Sequence, residues 1–173
     1  ELAAKPGVWR LSAALAQRRE QSNRAVADFE KALDLEYRQM PDLINLEAVR
    51  HDYRDLLSRY MVIVKAAQTL QQAPPADLSA RVIRAADRWR ALDSDAREVC
   101  QTTAKILKRL GAKESAWDYL TTPVALKPNE AAPWTDLAGV LRGDGELELA
   151  DHAYARAFVS EATNPQILWD RAQ

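Results

Sequence analysis

Few side chains in this 173-residue sequence stand at spacings suited to chemistry. Two histidines each adjoin an aspartate, as His51-Asp52 and Asp151-His152. An imidazole beside a carboxylate could serve as a general-base dyad or the start of a metal site. Adjacent residues on a helix do not face each other, however, and no second His or Cys lies at ligand spacing. Both histidines therefore read as solvated helix surface. The single cysteine, Cys100, falls at a helix-packing position and reads as a buried, inert thiol. The acidic pairs Glu146 with Glu148 and Asp93 with Asp95 stand at helix starts, where the macrodipole favours negative charge. Gly143-Asp144-Gly145 lacks the Lys-Ser/Thr and the preceding strand of a phosphate loop. The expectation is no catalytic residue, no metal ligand and no cofactor.

The elements carrying these residues follow from composition. Hydrophobic residues make up 47% and charged residues 28%, in the range of a globular protein, and only five residues are Gly. Abundant Ala, Leu, Arg, Glu and Gln favour helix, and no period-two run of β-branched residues proposes a strand. A formal net charge of -1 argues against a nucleic-acid binder working through a strong basic field. One cysteine allows no internal disulfide. Met61-Val62-Ile63-Val64, followed by Lys65, is far short of the roughly 20 apolar residues of a membrane span. No signal peptide is visible, so a soluble chain is expected, with its compartment unassigned. Without an initiator Met, and ending on Trp169–Gln173 in helical pattern, the sequence reads as a fragment of a longer protein.

The clearest pattern is Trp134, Leu137, Ala138 and Leu141, then Ala150, Tyr154 and Ala157, divided by Arg142-Gly143-Asp144-Gly145. Large residues three or four apart lie on one helix face, and small ones allow a second helix to approach. The distances from Trp9 to Ala25, Phe29 and Ala32 match those from Trp134 to Ala150, Tyr154 and Ala157. The first of these helices carries Trp9, Leu11, Leu15, Ala13 and Ala16. Ser22 is the expected N-cap of the second, whose inward face is Ala25, Phe29, Ala32 and Leu33.

This pattern resembles the tetratricopeptide repeat (TPR), a 34-residue helix-turn-helix unit. Stepping back 34 residues from the last unit lands on Cys100, Thr103, Ala104, Leu107, Ala116 and Leu120. Pro123 should stop that second helix near Leu120 or Thr122, because proline loses a hydrogen bond and clashes with the preceding turn. Another step lands on Ala66, Thr69, Leu70, Val82, Ala86 and Trp89, with Pro74-Pro75 as a break and Asp77 as a cap. About 23 residues beyond a multiple of 34 separate Trp9 from Trp134, and they are expected between 40 and 62. There a helix over 42–72 carries the stripe Leu43, Leu46, Val49, Tyr53, Leu56, Leu57, Tyr60, Ile63, Val64, Ala67 and Leu70. It is expected to lie across the array, the alternative being that its first half projects and pairs with a second copy. Asn164-Pro165 opens a final helix with Ile167, Leu168 and Trp169, the tryptophan serving as anchor one residue late.

The resemblance implies an all-α, right-handed α-α solenoid of TPR-like helix hairpins with one long helix of about 30 residues. A single domain over 1–173 is expected, with units at about 6–39, 40–96 (containing the helix 42–72), 97–130 and 131–164, and a terminal helix 165–173. In such arrays the first helix of each pair lines a concave face where peptides lie. Positions there outside the packing set are Arg10, Ala14, Gln17 and Arg18, then Gln101, Lys105, Lys108 and Arg109, then Thr135 and Arg142. Their Lys and Arg suggest a basic groove for an acidic segment or terminal carboxylate. The asparagines Asn23, Asn45, Asn129 and Asn164 match no inner position, so a Lys-Asn-Arg clamp is not expected. The functional expectation is a non-enzymatic protein-interaction module binding a peptide or helix in that groove. The alternatives are a homodimer through the long helix, or a helical appendage of an enzyme whose catalytic domain lies outside this sequence. Neither nucleic acid nor a membrane span enters the expectation.

Overall fold

The computed structural model describes residues 4–39, 46–93 and 95–172. Among these residues it is all helix, without strands. The elements are α1 (Pro6–Arg18), α2 (Ser22–Arg38), α3 (Leu46–Thr69), α4 (Leu78–Leu92), α5 (Arg97–Arg109), α6 (Lys113–Leu126), α7 (Ala131–Gly143), α8 (Leu147–Ser160) and α9 (Pro165–Ala172). They form an array of TPR-like helix hairpins, α1–α2, α3–α4, α5–α6 and α7–α8, closed by α9.

One turn chemistry ends the first helix of every hairpin. Glu20, Gln71, Gly111 and Gly145 all have left-handed φ values, of 59°, 53°, 78° and 83°. In each case the following amide bonds back over five residues: Gln21 to Ala16, Gln72 to Ala67, Ala112 to Leu107 and Glu146 to Leu141. These are Schellman closures, which satisfy carbonyls that the helix end leaves open. Eleven residues before each left-handed residue stands Trp9, Tyr60, Cys100 or Trp134. The turn therefore sets the true register of the repeat.

That register departs from strict steps of 34 on both sides of Gln71. Gly111 and Gly145 are 34 apart, Gln71 and Gly111 are 40 apart, and Glu20 and Gln71 are 51 apart. The extra residues are thus divided: 17 precede Gln71 and six follow it. Pro74-Pro75 interrupts the helical ladder, and residues 70–77 separate α3 from α4, where residues 110–112 suffice between α5 and α6. The packing residues of α3 shift back by six as a result. Ala66, Thr69 and Leu70, expected to pack, are exposed, whereas Tyr60, Ile63 and Val64 are buried. In α4 the expected Val82, Ala86 and Trp89 are fully buried.

The long helix is 24 residues, roughly 36 Å at 1.5 Å per residue. From Val49 onward its stripe is covered by this chain: Val49, Tyr53, Leu56, Leu57, Tyr60, Ile63 and Val64 belong to the main core, and Ala67 is half-buried. Leu70 lies beyond the helix end and is exposed. The expected start at Pro41-Asp42, Leu43 and the side chain of Leu46 lie outside the described residues.

Other expectations are corrected by packing. Helix α6 runs through Pro123 to Leu126 instead of stopping near Thr122. The Thr121 hydroxyl donates to the Trp117 carbonyl and the Thr122 hydroxyl to that of Asp118, while Pro123 and Val124 are buried. Burial against the next hairpin offsets a proline cost of about 3 kcal/mol. Leu11 and Leu15 are exposed on the outer flank of α1, leaving Ala13 and Ala16 to pack. Ser22 is the first helical residue of α2, not its cap, and Asp77 caps α4 by position without a side-chain bond. In α9 Ile167 is the anchor, packed with Ala131 and Ala157, and Trp169 is exposed.

Candidate partner-binding groove

The first helices of the hairpins lie side by side, laced by polar side chains. Arg10 on α1 binds Glu36 through Nε at 2.7 Å and Nη2 at 2.6 Å, and also binds Asp52 on α3. Arg59 on α3 donates to Gln17 at 2.7 Å. Both links from α1 to α3 span 42 residues, so the two helices run parallel. Arg54 meets Glu98 at 2.5 Å, and Arg109 donates to Gln68 at 2.9 Å, joining α3 to α5. Lys108 pairs with Asp144 at the end of α7, and Arg97 approaches Asp136 at 3.8 Å. Arg142 closes the row by donating to the backbone carbonyl of Asp170 at 2.9 Å.

Along this row a groove of about 950 Å³ opens over α3, α5 and α7, with α8 and α9 at one end. It gathers six of the ten positions singled out in the sequence: Gln101, Lys105, Lys108, Arg109, Thr135 and Arg142. The four on α1 are not part of it. Arg10 is committed to two carboxylates, which hold its guanidinium above the ordinary arginine value despite partial burial. Gln17 is engaged by Arg59, while Ala14 and Arg18 are exposed on α1.

Met61 and Lys65 line the groove and were missed by strict 34-residue counting. Counted from the left-handed turns, Met61 stands where Arg10, Gln101 and Thr135 stand, ten residues before the turn. Lys65 stands where Ala14 and Lys105 stand, six before it. The turn residue Gln71, had it been recognisable, would have revealed both. Tyr154, read from its spacing as packing alone, also reaches the groove wall, with Arg142 5.9 Å over its ring.

Cations outnumber carboxylates along the groove, and among the described residues only one of those cations, Lys108, has an ion pair. Five cations line it: Lys65, Lys105, Lys108, Arg109 and Arg142. Of its three carboxylates, Asp144 holds Lys108 and Asp170 accepts from Gln166 at 2.7 Å. Asp136 faces Arg97 and Gln101, and burial raises its carboxyl above the ordinary value against those partners. Among the described residues Lys65 and Lys105 have no ion pair, and Arg109 meets only a neutral amide. The polar positions sit beside the half-buried apolar Met61 and Val140, so a ligand would find both charge and apolar surface.

The histidines, the cysteine and the paired acids lie elsewhere. His51 and His152 are exposed, and Asp151 binds Arg171 at 2.5 Å. Cys100 is fully buried, and burial pushes its thiol up to about 11. Asp95 accepts from the Arg97 backbone amide at 3.1 Å at the start of α5, a structural duty. Among the described residues no group of three or more His, Cys, Asp or Glu could hold a metal ion, and no helix is long and apolar enough to cross a membrane.

No family model matches the sequence, and no curated protein matches it. Among solved structures the chain is similar to YrrB, described as a TPR protein with an unusual peptide-binding site, at 16% identity and a TM-score of 0.41. That match covers 94% of this chain and 72% of YrrB. It is also similar to MamA, at 12% identity and a TM-score of 0.38, over 93% of this chain and 94% of MamA.

Proposed function

We propose that this chain is a non-enzymatic protein-interaction module, one domain of stacked hairpins that captures an acidic peptide or helix in the groove over α3, α5 and α7. The observation that carries this reading is the charge imbalance there: among the described residues Lys65, Lys105 and Arg109 lack a carboxylate partner, while Asp136, Asp144 and Asp170 are each engaged. Rigid helices present these groups before a ligand arrives, so little ordering cost is added on binding. An acidic segment would place carboxylates against the free cations and apolar side chains against Met61 and Val140.

The test is fluorescence anisotropy with labelled Glu- and Asp-rich peptides and a Lys-rich control of equal length. The double variant Lys105→Glu and Arg109→Glu reverses two exposed cations without touching the core. Two reversed contacts at about 0.5–1 kcal/mol each should weaken acidic-peptide binding by roughly tenfold or more. Added salt should weaken the native protein's binding as well. Equal affinity for acidic and basic peptides, or an unchanged affinity in a correctly folded double variant, rejects the groove as the site.

A further inference from the structure

A second cationic cleft, of about 340 Å³, lies between α2 and α4 on the side built from second helices, with α3 as its floor. Its walls carry Lys31, Arg38, Arg81, Arg84 and Arg88 against two carboxylates, Glu30 and Asp34. Arg81, Arg84 and Arg88 stand three and four residues apart, so they form one stripe on α4. Glu30 takes Arg81 through Nε and Nη2, both at 2.7 Å, and also accepts from the Tyr60 hydroxyl. Asp34 takes Arg88. The partners advance together along both helices, so α2 and α4 run parallel. Arg84 falls between the two ion pairs and is exposed.

The consequence is a surplus of cations beside two ion-paired arginines. Among the described residues neither Arg84 nor Arg38 has a hydrogen bond or ion pair, and Lys31 rests on the Trp9 ring at 3.8 Å. The floor adds an independent irregularity. Tyr53, 1% exposed, lines the cleft, and its hydroxyl is buried with no hydrogen-bond partner. Buried polar atoms are ordinarily paired, so this hydroxyl is an exception in a residue of the cleft floor.

We propose that this cleft is a binding site for a phosphate group. Four of its five cations are arginines, whose planar forks match a tetrahedral oxyanion through paired N–H donors. The volume suits one compact group more than an extended chain. Two unpaired guanidinium charges correspond to a dianion. The site is separate from the groove over α3, α5 and α7 and does not depend on its role: no residue lines both.

Isothermal titration calorimetry at fixed ionic strength, with inorganic phosphate, pyrophosphate and acetate, tests the assignment. Saturable binding of phosphate and pyrophosphate, absent for acetate, is expected. Arg84→Ala combined with Arg38→Ala should weaken it by about tenfold or more, since neither side chain supports another. Lys105→Glu with Arg109→Glu should leave it unchanged. A phosphoserine peptide compared with its unphosphorylated form identifies the source of the group. Tighter binding than free phosphate assigns a phosphorylated protein segment, and equal binding assigns a free phosphorylated small molecule. Absence of saturable binding, or binding that survives the loss of both arginines, overturns the proposal.

Discussion

A single methyl group should change stability in opposite directions at two glycines on the same helix-turn segment. Gly145 has φ of 83°, and a Cβ built there meets no atom within 4 Å. Gly139 lies within α7, and a Cβ built there also meets nothing within 4 Å. Space is equal, so only the backbone differs. Gly145→Ala forces an L side chain into the left-handed region at about 1–2 kcal/mol. A less flexible unfolded chain offsets about 0.4–1 kcal/mol of that, for a net loss near 1 kcal/mol. Gly139→Ala removes a helix-interior glycine and should gain about 0.5–1 kcal/mol. Gln71→Gly is the reciprocal case: at φ 53° it already bears the left-handed cost, and its replacement should gain about 0.5 kcal/mol. Urea unfolding followed by circular dichroism reads all three. With a slope of about 2 kcal/mol per molar, the midpoints should move by roughly -0.5, +0.3 and +0.2 M. Equal losses for both alanine variants, or a lower midpoint for Gln71→Gly, would refute the claim that turn conformation sets these costs.

Three further perturbations follow from the packing. Arg10→Ala leaves Glu36 and Asp52 facing each other without their shared cation, and should cost about 1–3 kcal/mol in thermal or urea unfolding, more than Arg18→Ala. Tyr53→Phe removes a buried hydroxyl that has no partner, and should raise stability by about 1 kcal/mol; a loss of similar size would show that the hydroxyl is satisfied in solution. The buried Cys100 thiol, pushed from its ordinary 9.0 up to about 11, contributes stability fully present below pH 9 and lost as pH rises through 11. Tyr53, Tyr60 and Tyr119, also raised by burial, act in the same direction at still higher pH. Alkaline unfolding of the native protein, and a native thiol unreactive to disulfide reagents at pH 7, are the corresponding measurements.

The fold was legible where the repeat is regular. Trp134, Leu137, Ala138 and Tyr154 carry enough spacing information to place two helices and their turn. Legibility failed where one element compensated for another. Glu20 and Gln71 close their helices as glycines would, but nothing in their residue type announces a left-handed backbone. Without them, six residues near Pro74-Pro75 could not be assigned, and the inner positions Met61 and Lys65 dropped out of the groove. Pro123 shows a different limit: its local cost is readable, whereas the burial that overrides it depends on the following hairpin. The ion pairs of Arg10 were illegible for a similar reason, since Glu36 and Asp52 reach it only in the folded stack. The cleft between α2 and α4 could not be read at all, because its cations Arg81, Arg84 and Arg88 become a site only when α2 is packed beside them.

The tie between Lys108 and Asp144 means that an acidic ligand of the proposed kind would meet a carboxylate already in its place. An arriving carboxylate that takes Lys108 sets Asp144 free, so capture is an exchange of partners and its net gain is smaller than a count of contacts implies. The released aspartate sits at the end of α7, beside the left-handed Gly145 that turns the chain into α8. Such occupancy would loosen a strut between neighbouring hairpins at the moment the ligand replaced it. In an array whose units touch only their neighbours, the local angle at that joint is the natural place for a bound state to differ from a free one.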